Sequence, residues 1–186
     1  EFRDNLPRMK NDRHGQAAVL SDEQLDELLK ECNTQYRLLF AITYYSSARI
    51  SEVLKLQASD IKGNTITFRK ANTKTKITRQ VIISDKLQKI IDSSDIPKKG
   101  YLFLNQTKSN HISRQAVDKY LRKKCDYLGF EGISTHSFRR TGITKMFKSG
   151  VPLKTIGKHS GHKDLDNLVK YIEINESEIN QAVNIL

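Results

Sequence analysis

Two segments of the sequence pair an arginine with a second chemically active residue at helical spacing. Arg49 and Glu52 are spaced i, i+3, and so are His136 and Arg139, so each pair would share one face of a helix. A guanidinium group can grip two phosphate oxygens, and a histidine near a helix N-terminus can exchange protons close to neutral pH. Both pairs also have a purely structural interpretation, in which Glu52 only neutralises Arg49 and the other pair lies on the surface.

A third segment combines histidines with a tyrosine. His162 comes shortly before Tyr171, but the chain has seven tyrosines, and an ordinary half-buried tyrosine is one interpretation of Tyr171. His159 and His162 have a spacing that could bind a metal. No carboxylate or cysteine motif completes such a site, so we expect no metal. The sequence also lacks a glycine-rich phosphate loop, and we expect no cofactor.

The elements that must position these residues are mostly helices. Ser21 and Gln24 form the capping-box pattern of a helix start, and Ser113 and Gly129 suit the two ends of another helix. Further helices are predicted over about residues 36–45, 49–56, 85–91, 135–150, 152–161, 164–171 and 176–185.

One small sheet is predicted among the helices. Ile66 and Phe68 alternate with polar residues, and so do Val81 and Ile83, which predicts two antiparallel strands joined by a basic stretch. Residues 60–63 are predicted to form a turn, and residues 101–104 to be extended. The predicted fold class is therefore α+β, mainly α-helical with a small antiparallel β-sheet.

The 186 residues are expected to form one folded domain. Residues 1–19 are polar and aperiodic and lack the apolar run of a signal peptide, so we predict a linker or the remnant of an upstream domain there. The folded domain is predicted over residues 20–186. The two cysteines lie far apart and have neither zinc nor disulfide spacing, which favours a reducing cytosol.

The charge balance points to a polyanionic partner. Lys plus Arg number 32 and Asp plus Glu 21, which gives a net charge of +11 and a pI near 9.6. Nucleic acid is the first candidate, because neutralising phosphates drives binding without regard to base sequence. A membrane surface would need a basic amphipathic helix or a long apolar run, and the sequence has neither. A basic protein without a polyanionic partner is the remaining alternative.

Taken in order, these segments resemble the tyrosine recombinase (phage integrase) family. A-R-I-S-E-V-L-K-L-Q-A-S-D-I is similar to the family's first box and contains Arg49. H-S-F-R-R-T-G is similar to the second box and contains His136 and Arg139. S-G-H-K-D-L-D-N-L-V-K-Y is similar to the end of that box and contains His162 and Tyr171.

The resemblance extends over about residues 21–184 and includes a β-hairpin. K-T-K-I-T-R-Q-V-I-I is similar to the family's hairpin, whose first lysine is catalytic, and counting back from the following strand assigns that role to Lys74. Lys70 and Lys76 compete for the same role. The resemblance implies that this lysine protonates a departing 5′ oxygen, and that Glu52 holds an arginine or histidine in place.

The resemblance also implies a role for the other residues. Arg49 and Arg139, aided by His162, would hold the non-bridging oxygens of a DNA phosphate. Tyr171 would attack the phosphorus and form a 3′-phosphotyrosine bond. His136 is the candidate base for the phenol proton.

Two residues depart from the family pattern. Ser160 stands where leucine is usual before Gly-His, and Ala48 replaces a frequent glycine or cysteine. Neither is expected to touch a reacting group. The implied function is site-specific DNA recombination, without metal or ATP, for integration or excision of a phage or mobile element. A non-catalytic DNA-binding module and a type IB topoisomerase are the alternatives.

Further basic residues either contact DNA phosphates or are simply solvated. They are Lys70, Lys76, Arg79, Lys108, Arg114 and Lys145. The resemblance implies double-stranded DNA as the partner, a homo-tetramer on DNA that exchanges the C-terminal helix, and an upstream DNA-binding domain. We expect a protein of the bacterial cytoplasm that associates with the nucleoid and not with a membrane.

Overall fold

The computed structural model describes residues 16–169 and 183–184. The helices are α1 (Asp22–Glu31), α2 (Thr34–Tyr45), α3 (Ile50–Val53), α4 (Asp85–Asp92), α5 (Arg114–Leu128), α6 (Thr135–Lys148), α7 (Leu153–Ser160) and α8 (Leu165–Val169), with a 3₁₀ turn at Ala58–Asp60. The strands are β1 (Ile61–Lys62), β2 (Thr65–Phe68) and β3 (Arg79–Ile82). The predicted α+β class, mainly helical with a small antiparallel sheet, is confirmed.

Helices begin and end at the capping residues that the sequence indicated. Ser21 and Gln24 form a reciprocal capping box at the start of α1. Ser113 caps α5, and Gly129 ends that helix in the left-handed conformation, with φ of 71°. These local hydrogen bonds satisfy terminal backbone groups, which is why they could be predicted without knowledge of the tertiary structure.

The helix α3 ends earlier than predicted and is followed by a turn at residues 54 and 55. The predicted helix over residues 49–56 is shorter in the structure, because the carbonyl of Leu56 accepts a hydrogen bond from the backbone N–H of Leu102 at 2.9 Å. Gln57 forms an isolated antiparallel bridge with Tyr101. The segment predicted to be extended at residues 101–104 therefore contributes to pairing with this stretch.

The sheet contains one strand more than the sequence predicted. β2 pairs with β3 in antiparallel orientation, as the alternating pattern indicated, and the structure places Ile66 opposite Val81. Residues 60–63, predicted to be a turn, include β1, which pairs with β2 through Ile61. Two residues are too few to give an alternating pattern, so this strand left no signal in the sequence.

The contact between α2 and α6 brings the first and second boxes together. Phe40 of α2 stacks on Phe138 of α6 with ring centroids 4.6 Å apart. Gly142 lets the two helices approach closely, since a Cβ at this position would lie 2.6 Å from the carbonyl oxygen of Tyr44. His136 and Arg139, on α6, are thereby held beside the segment that follows α2.

The packed part of the chain starts before residue 20. The backbone N–H of Ala18 donates to the carbonyl of Gly132 at 2.9 Å, and that of Leu20 donates to Oγ1 of Thr141 at 2.9 Å. The end of the predicted linker therefore lies against the domain. The predicted helix over residues 176–185 lies outside the described residues, except for positions 183 and 184. Within the described part of the chain, no helix is long and apolar enough to span a membrane.

Candidate active site

Four residues singled out in the sequence line one cavity of about 760 Å³. Arg49 precedes α3, Lys74 lies between β2 and β3, His136 is in the first turn of α6, and His162 follows α7. The cavity is also lined by Gln16, Ala17, Thr75, Ser134, Arg140, Lys163, Asp164 and Asn167. Segments from across the sequence therefore meet at one opening that presents several positive charges.

Glu52 is the buried acceptor that organises one wall of this cavity. Its Oε1 accepts from Nη1 of Arg49 at 3.1 Å and from the backbone N–H of Lys74 at 3.4 Å. Its Oε2 accepts from Nη2 of Arg79 at 3.4 Å. The carboxylate is only 3% exposed, and a buried charge must be paired. Glu52 therefore orients Arg49 and links the hairpin to it. The ion pair between Glu52 and Arg49, which was the purely structural interpretation of this spacing, is also present.

Arg79 is buried beneath the cavity and is not displayed on the surface. Its side chain is 9% exposed, and its Nη1 donates to the carbonyls of His159 at 2.6 Å and Ser46 at 3.3 Å. Its guanidinium carbon lies 4.2 Å from the ring centroid of Phe68. These contacts argue against the phosphate contact expected from the sequence. Arg79 and Val81 are alternate residues of one strand and face the same side, so the alternating pattern already indicated that the Arg79 side chain points inward.

Arg139 lies directly behind His162. Its Nη1 donates to the carbonyl oxygens of Ser47 at 2.6 Å and Ser160 at 2.9 Å. Its Nη2 lies 2.8 Å from Nε2 and 3.2 Å from Nδ1 of His162. Arg139 is 1% exposed, so its guanidinium is fixed by carbonyls and contacts the cavity through the imidazole of His162.

Both cavity histidines favour the neutral form. Burial lowers the pKa of His162 to about 3, and the positive charges of neighbouring arginines act in the same direction. His136 lies at the exposed mouth of the cavity, where partial desolvation of its ring, followed by the charge of Arg114, lowers its pKa. A neutral imidazole can accept a proton at neutral pH, as a general base must.

Ser160 corrects one expectation from the sequence. The side chain was expected to touch no reacting group, yet its Oγ lies 2.7 Å from Nδ1 of His162. Ser160 is fully buried at the end of α7, and Gly161 then turns the chain back in the left-handed conformation, with φ of 74°. The turn brings the histidine ring over the serine, a contact that sequence spacing alone does not reveal.

Of the three hairpin lysines, Lys74 is the one that lines the cavity. All three lysines are exposed, so exposure does not separate them, and Lys76 has a left-handed backbone, with φ of 57°. Buried Thr73 donates its hydroxyl to the carbonyl of Ile77 at 3.0 Å, which shapes the loop that carries Lys74. The geometry favours Lys74 over its competitors.

The remaining predicted DNA contacts lie in different surroundings. Arg114 lies beside the cavity, with Nη2 3.4 Å from Nε2 of His136. Lys145 forms an ion pair with Asp22 at the start of α1. Lys108 is exposed in the loop before α5. Of these three, Arg114 has the position best suited to a phosphate near the cavity.

Arg140 is a cavity residue that the sequence analysis did not single out. Its side chain is buried, and its Nη1 donates to the side-chain oxygen of Gln16 and to the carbonyl of Ala17 at 3.2 Å. Its position as the second arginine of H-S-F-R-R-T-G could have indicated a role in the site. Arg140 holds the segment at residues 16 and 17 against the rim of the cavity.

Tyr171, the predicted nucleophile, lies outside the described residues. Among the residues that the structure does describe, no three His, Cys, Asp or Glu side chains come together as a metal site. His159 has a structural contact of its own, since its Nε2 lies 3.0 Å from the carbonyl oxygen of Tyr45.

Two known proteins are similar to this chain in sequence. A probable integrase/recombinase of Acholeplasma phage L2 is 26% identical over 143 residues, which cover 76% of this chain and 50% of that protein. The probable integrase/recombinase YoeC of Bacillus subtilis is 26% identical over 165 residues, covering 88% of this chain and 91% of its own. This chain thus spans about half the length of the phage relative.

A solved structure has the same fold at low sequence identity. The XerH site-specific recombinase, bound to its difH substrate in a pre-cleavage complex, superposes with a TM-score of 0.69 at 18% identity. The match covers 90% of this chain and 54% of the XerH chain. The sequence model of the phage integrase family matches residues 18–178, which include all the residues of the candidate site except Gln16 and Ala17. The chain therefore belongs to the phage integrase family.

Proposed function

We propose that this chain is the catalytic part of a site-specific DNA recombinase that cleaves and rejoins strands through a phosphotyrosine at Tyr171. The observation that carries the proposal is the convergence of Arg49, Lys74, His136 and His162 on one cavity, with Arg139 behind it. The relatives named as integrases and the DNA-bound XerH support the same reading.

Electrostatics account for the arginines. A phosphodiester is anionic and repels an incoming oxygen until its charge is offset. Arg49 and Arg139, with His162, would hold the non-bridging oxygens and stabilise the added charge of the pentacoordinate transition state. Phosphoryl transfer depends mainly on positioning and charge, so arginines can take the part that metal ions play elsewhere.

Two proton transfers would accompany the exchange of bonds. The phenol oxygen of Tyr171 forms a bond to phosphorus as the bond to the 5′ oxygen breaks, and His136 takes the phenol proton. An unperturbed tyrosine has a pKa near 10, so a neutral imidazole beside it assists its ionisation. Lys74 gives a proton to the departing 5′ oxygen. One phosphoester replaces another, so a 5′ hydroxyl of a partner strand can reverse the step without ATP.

The whole protein's partners follow from the same proposal. Double-stranded DNA carrying an attachment site would be the substrate, and a tetramer that exchanges the C-terminal helix would bring two duplexes together. Such an enzyme would act at the nucleoid in the bacterial cytoplasm, and the phage relative is consistent with integration or excision of a phage or mobile element. The net charge of +11 supports binding to a polyanion.

A nicked suicide duplex tests the proposal. Cleavage of such a duplex releases a short fragment that carries the 5′ hydroxyl, so the covalent complex accumulates. We expect a 3′ adduct in the presence of EDTA, and none with Tyr171→Phe although DNA binding persists. Tyr127→Phe is the matched control, since Tyr127 is 75% exposed at the end of α5. DNA binding without an adduct would indicate a non-catalytic module, and relaxation of supercoils without a partner strand would indicate a topoisomerase.

A further inference from the structure

Ser160 connects the end of α7 to the imidazole of His162 through two short contacts. Its Oγ lies 2.7 Å from the carbonyl oxygen of Ile156 and 2.7 Å from Nδ1 of His162. The serine is fully buried, so water does not compete for these contacts. The usual leucine of the family at this position could form neither of them.

The carbonyl of Ile156 decides which atom of the second contact is the donor. A carbonyl oxygen can only accept, so the single hydroxyl hydrogen of Ser160 points to Ile156. Towards His162 the same oxygen therefore accepts. It follows that Nδ1 of His162 carries a proton.

Arg139 favours a neutral imidazole without choosing between its tautomers. Its Nη2 lies 2.8 Å from Nε2 and 3.2 Å from Nδ1 of His162, so this nitrogen lies against the face of the ring and not on the lone-pair axis of either nitrogen. A positive charge so close to the ring disfavours a second proton on it. Since Ser160 places the one proton of the neutral ring on Nδ1, Nε2 carries none.

We infer that Ser160 is a positioning residue that holds the proton of His162 on Nδ1 and leaves Nε2 without one. The assignment concerns the free chain and is independent of catalysis. Its consequence for strand cleavage rests on the proposed function.

That consequence is an uptake of one proton when a DNA phosphate binds. In the free chain Nε2 carries a lone pair, and a phosphate oxygen bound beside it would be an anion facing that lone pair. Nε2 becomes a donor by taking a proton from solvent, while Nδ1 keeps its bond to Ser160. Burial of the ring and then the charges of Arg139, Arg49 and Arg79 oppose this protonation in the free chain, and the phosphate offsets the charges.

Nitrogen-15 NMR of the imidazole rings of the 186-residue chain tests the assignment without DNA. At neutral pH we expect the signal of a protonated Nδ1 and an unprotonated Nε2 for His162. In Ser160→Ala the ratio of the Nδ1–H to the Nε2–H form should fall about fivefold, the factor that corresponds to the net ~1 kcal/mol of one hydrogen bond. The fall should appear as a shift of both ring nitrogens.

Thr43→Val is the matched control. Thr43 is also fully buried, and its hydroxyl donates to a carbonyl one turn earlier, that of Leu39, at 2.8 Å. Unlike the contact of Ser160 with His162, this hydrogen bond lies within one helix, α2. The control should leave the His162 shifts unchanged. A protonated Nε2 in the unmodified chain, or Ser160→Ala shifts equal to those of the control, would overturn the inference.

A pH profile of suicide-duplex cleavage supplies a functional readout. The unmodified chain needs the doubly protonated ring, whereas Ser160→Ala can also present a neutral Nε2–H to the phosphate. The rate of the unmodified chain relative to Ser160→Ala should therefore fall as the pH rises, and a constant ratio would contradict this consequence. Absence of an adduct from both proteins would overturn the proposed function and leave the tautomer to be judged by NMR.

Discussion

Replacing Glu52 by glutamine isolates the charge that organises the cavity wall. The substitution keeps the size of the side chain and one acceptor oxygen but leaves Arg49 and Arg79 without an anion. Glu52 is 3% exposed and Arg79 is 9% exposed, so that pair is shielded from water, whereas Arg49 is 24% exposed. Breaking a buried pair by removing one partner costs about 3–5 kcal/mol, and the partial exposure of Arg49 favours the lower end, about 3 kcal/mol.

Urea unfolding followed by circular dichroism measures this loss. With a slope near the upper end of about 1–3 kcal/mol per molar urea, a loss of about 3 kcal/mol lowers the midpoint by about 1 M. Glu27→Gln is the control, because Glu27 is an exposed carboxylate on α1. A loss below about 0.5 kcal/mol for Glu52→Gln, the size expected for a surface substitution, would refute the argument that this carboxylate neutralises buried arginines.

Three further predictions concern catalysis, packing and pH. Arg49→Lys should reduce the rate of adduct formation by about 10²–10³-fold, because an ammonium cannot grip two oxygens while bound to Glu52; full activity would remove Arg49 from the site. Gly142→Ala should lower the free energy of unfolding by about 1–3 kcal/mol, since its Cβ would lie 2.6 Å from the carbonyl oxygen of Tyr44, and an unchanged melting temperature would contradict the close approach of α2 and α6. Folding depresses the pKa of His162 to about 3, so below pH ~6.5 the unfolded chain binds more protons than the folded chain. The free energy of unfolding should therefore decrease as the pH is lowered, by up to about 1.4 kcal/mol per pH unit. Urea unfolding of His162→Asn between pH 7 and pH 5 should show a shallower dependence on pH, and an identical slope would argue against a neutral His162.

Features fixed by neighbouring residues could be predicted from the sequence. The capping box of Ser21 and the left-handed Gly129 depend on local backbone hydrogen bonds, and the two antiparallel strands β2 and β3 were indicated by alternation. The family resemblance selected four of the cavity residues, Arg49, Lys74, His136 and His162. That these residues would form one site could be predicted only from the order of the family's boxes along the chain. Neither arginine box alone distinguished an anion site from a surface ion pair.

Features that depend on tertiary contacts could not be predicted in the same way. The alternation of Arg79 with Val81 indicated an inward side chain, but it did not show that the partners would be Glu52 and the backbone of His159. Ser160 was treated as a neutral departure from the family pattern, and its contact with His162 arises only where the chain reverses after α7. In both cases the deciding partner is on another element or beyond a sharp turn.

Mass spectrometry of the covalent complex tests the central claim most directly. The chain is allowed to react with the nicked duplex in EDTA, digested with a protease and a nuclease, and the peptide that carries the residual nucleotide is sequenced. The proposed function, with Tyr171 as the nucleophile that the family resemblance implies, predicts that the nucleotide is attached to Tyr171. Attachment to any other residue, or a duplex with the correct attachment site that is bound but never attached, would contradict it.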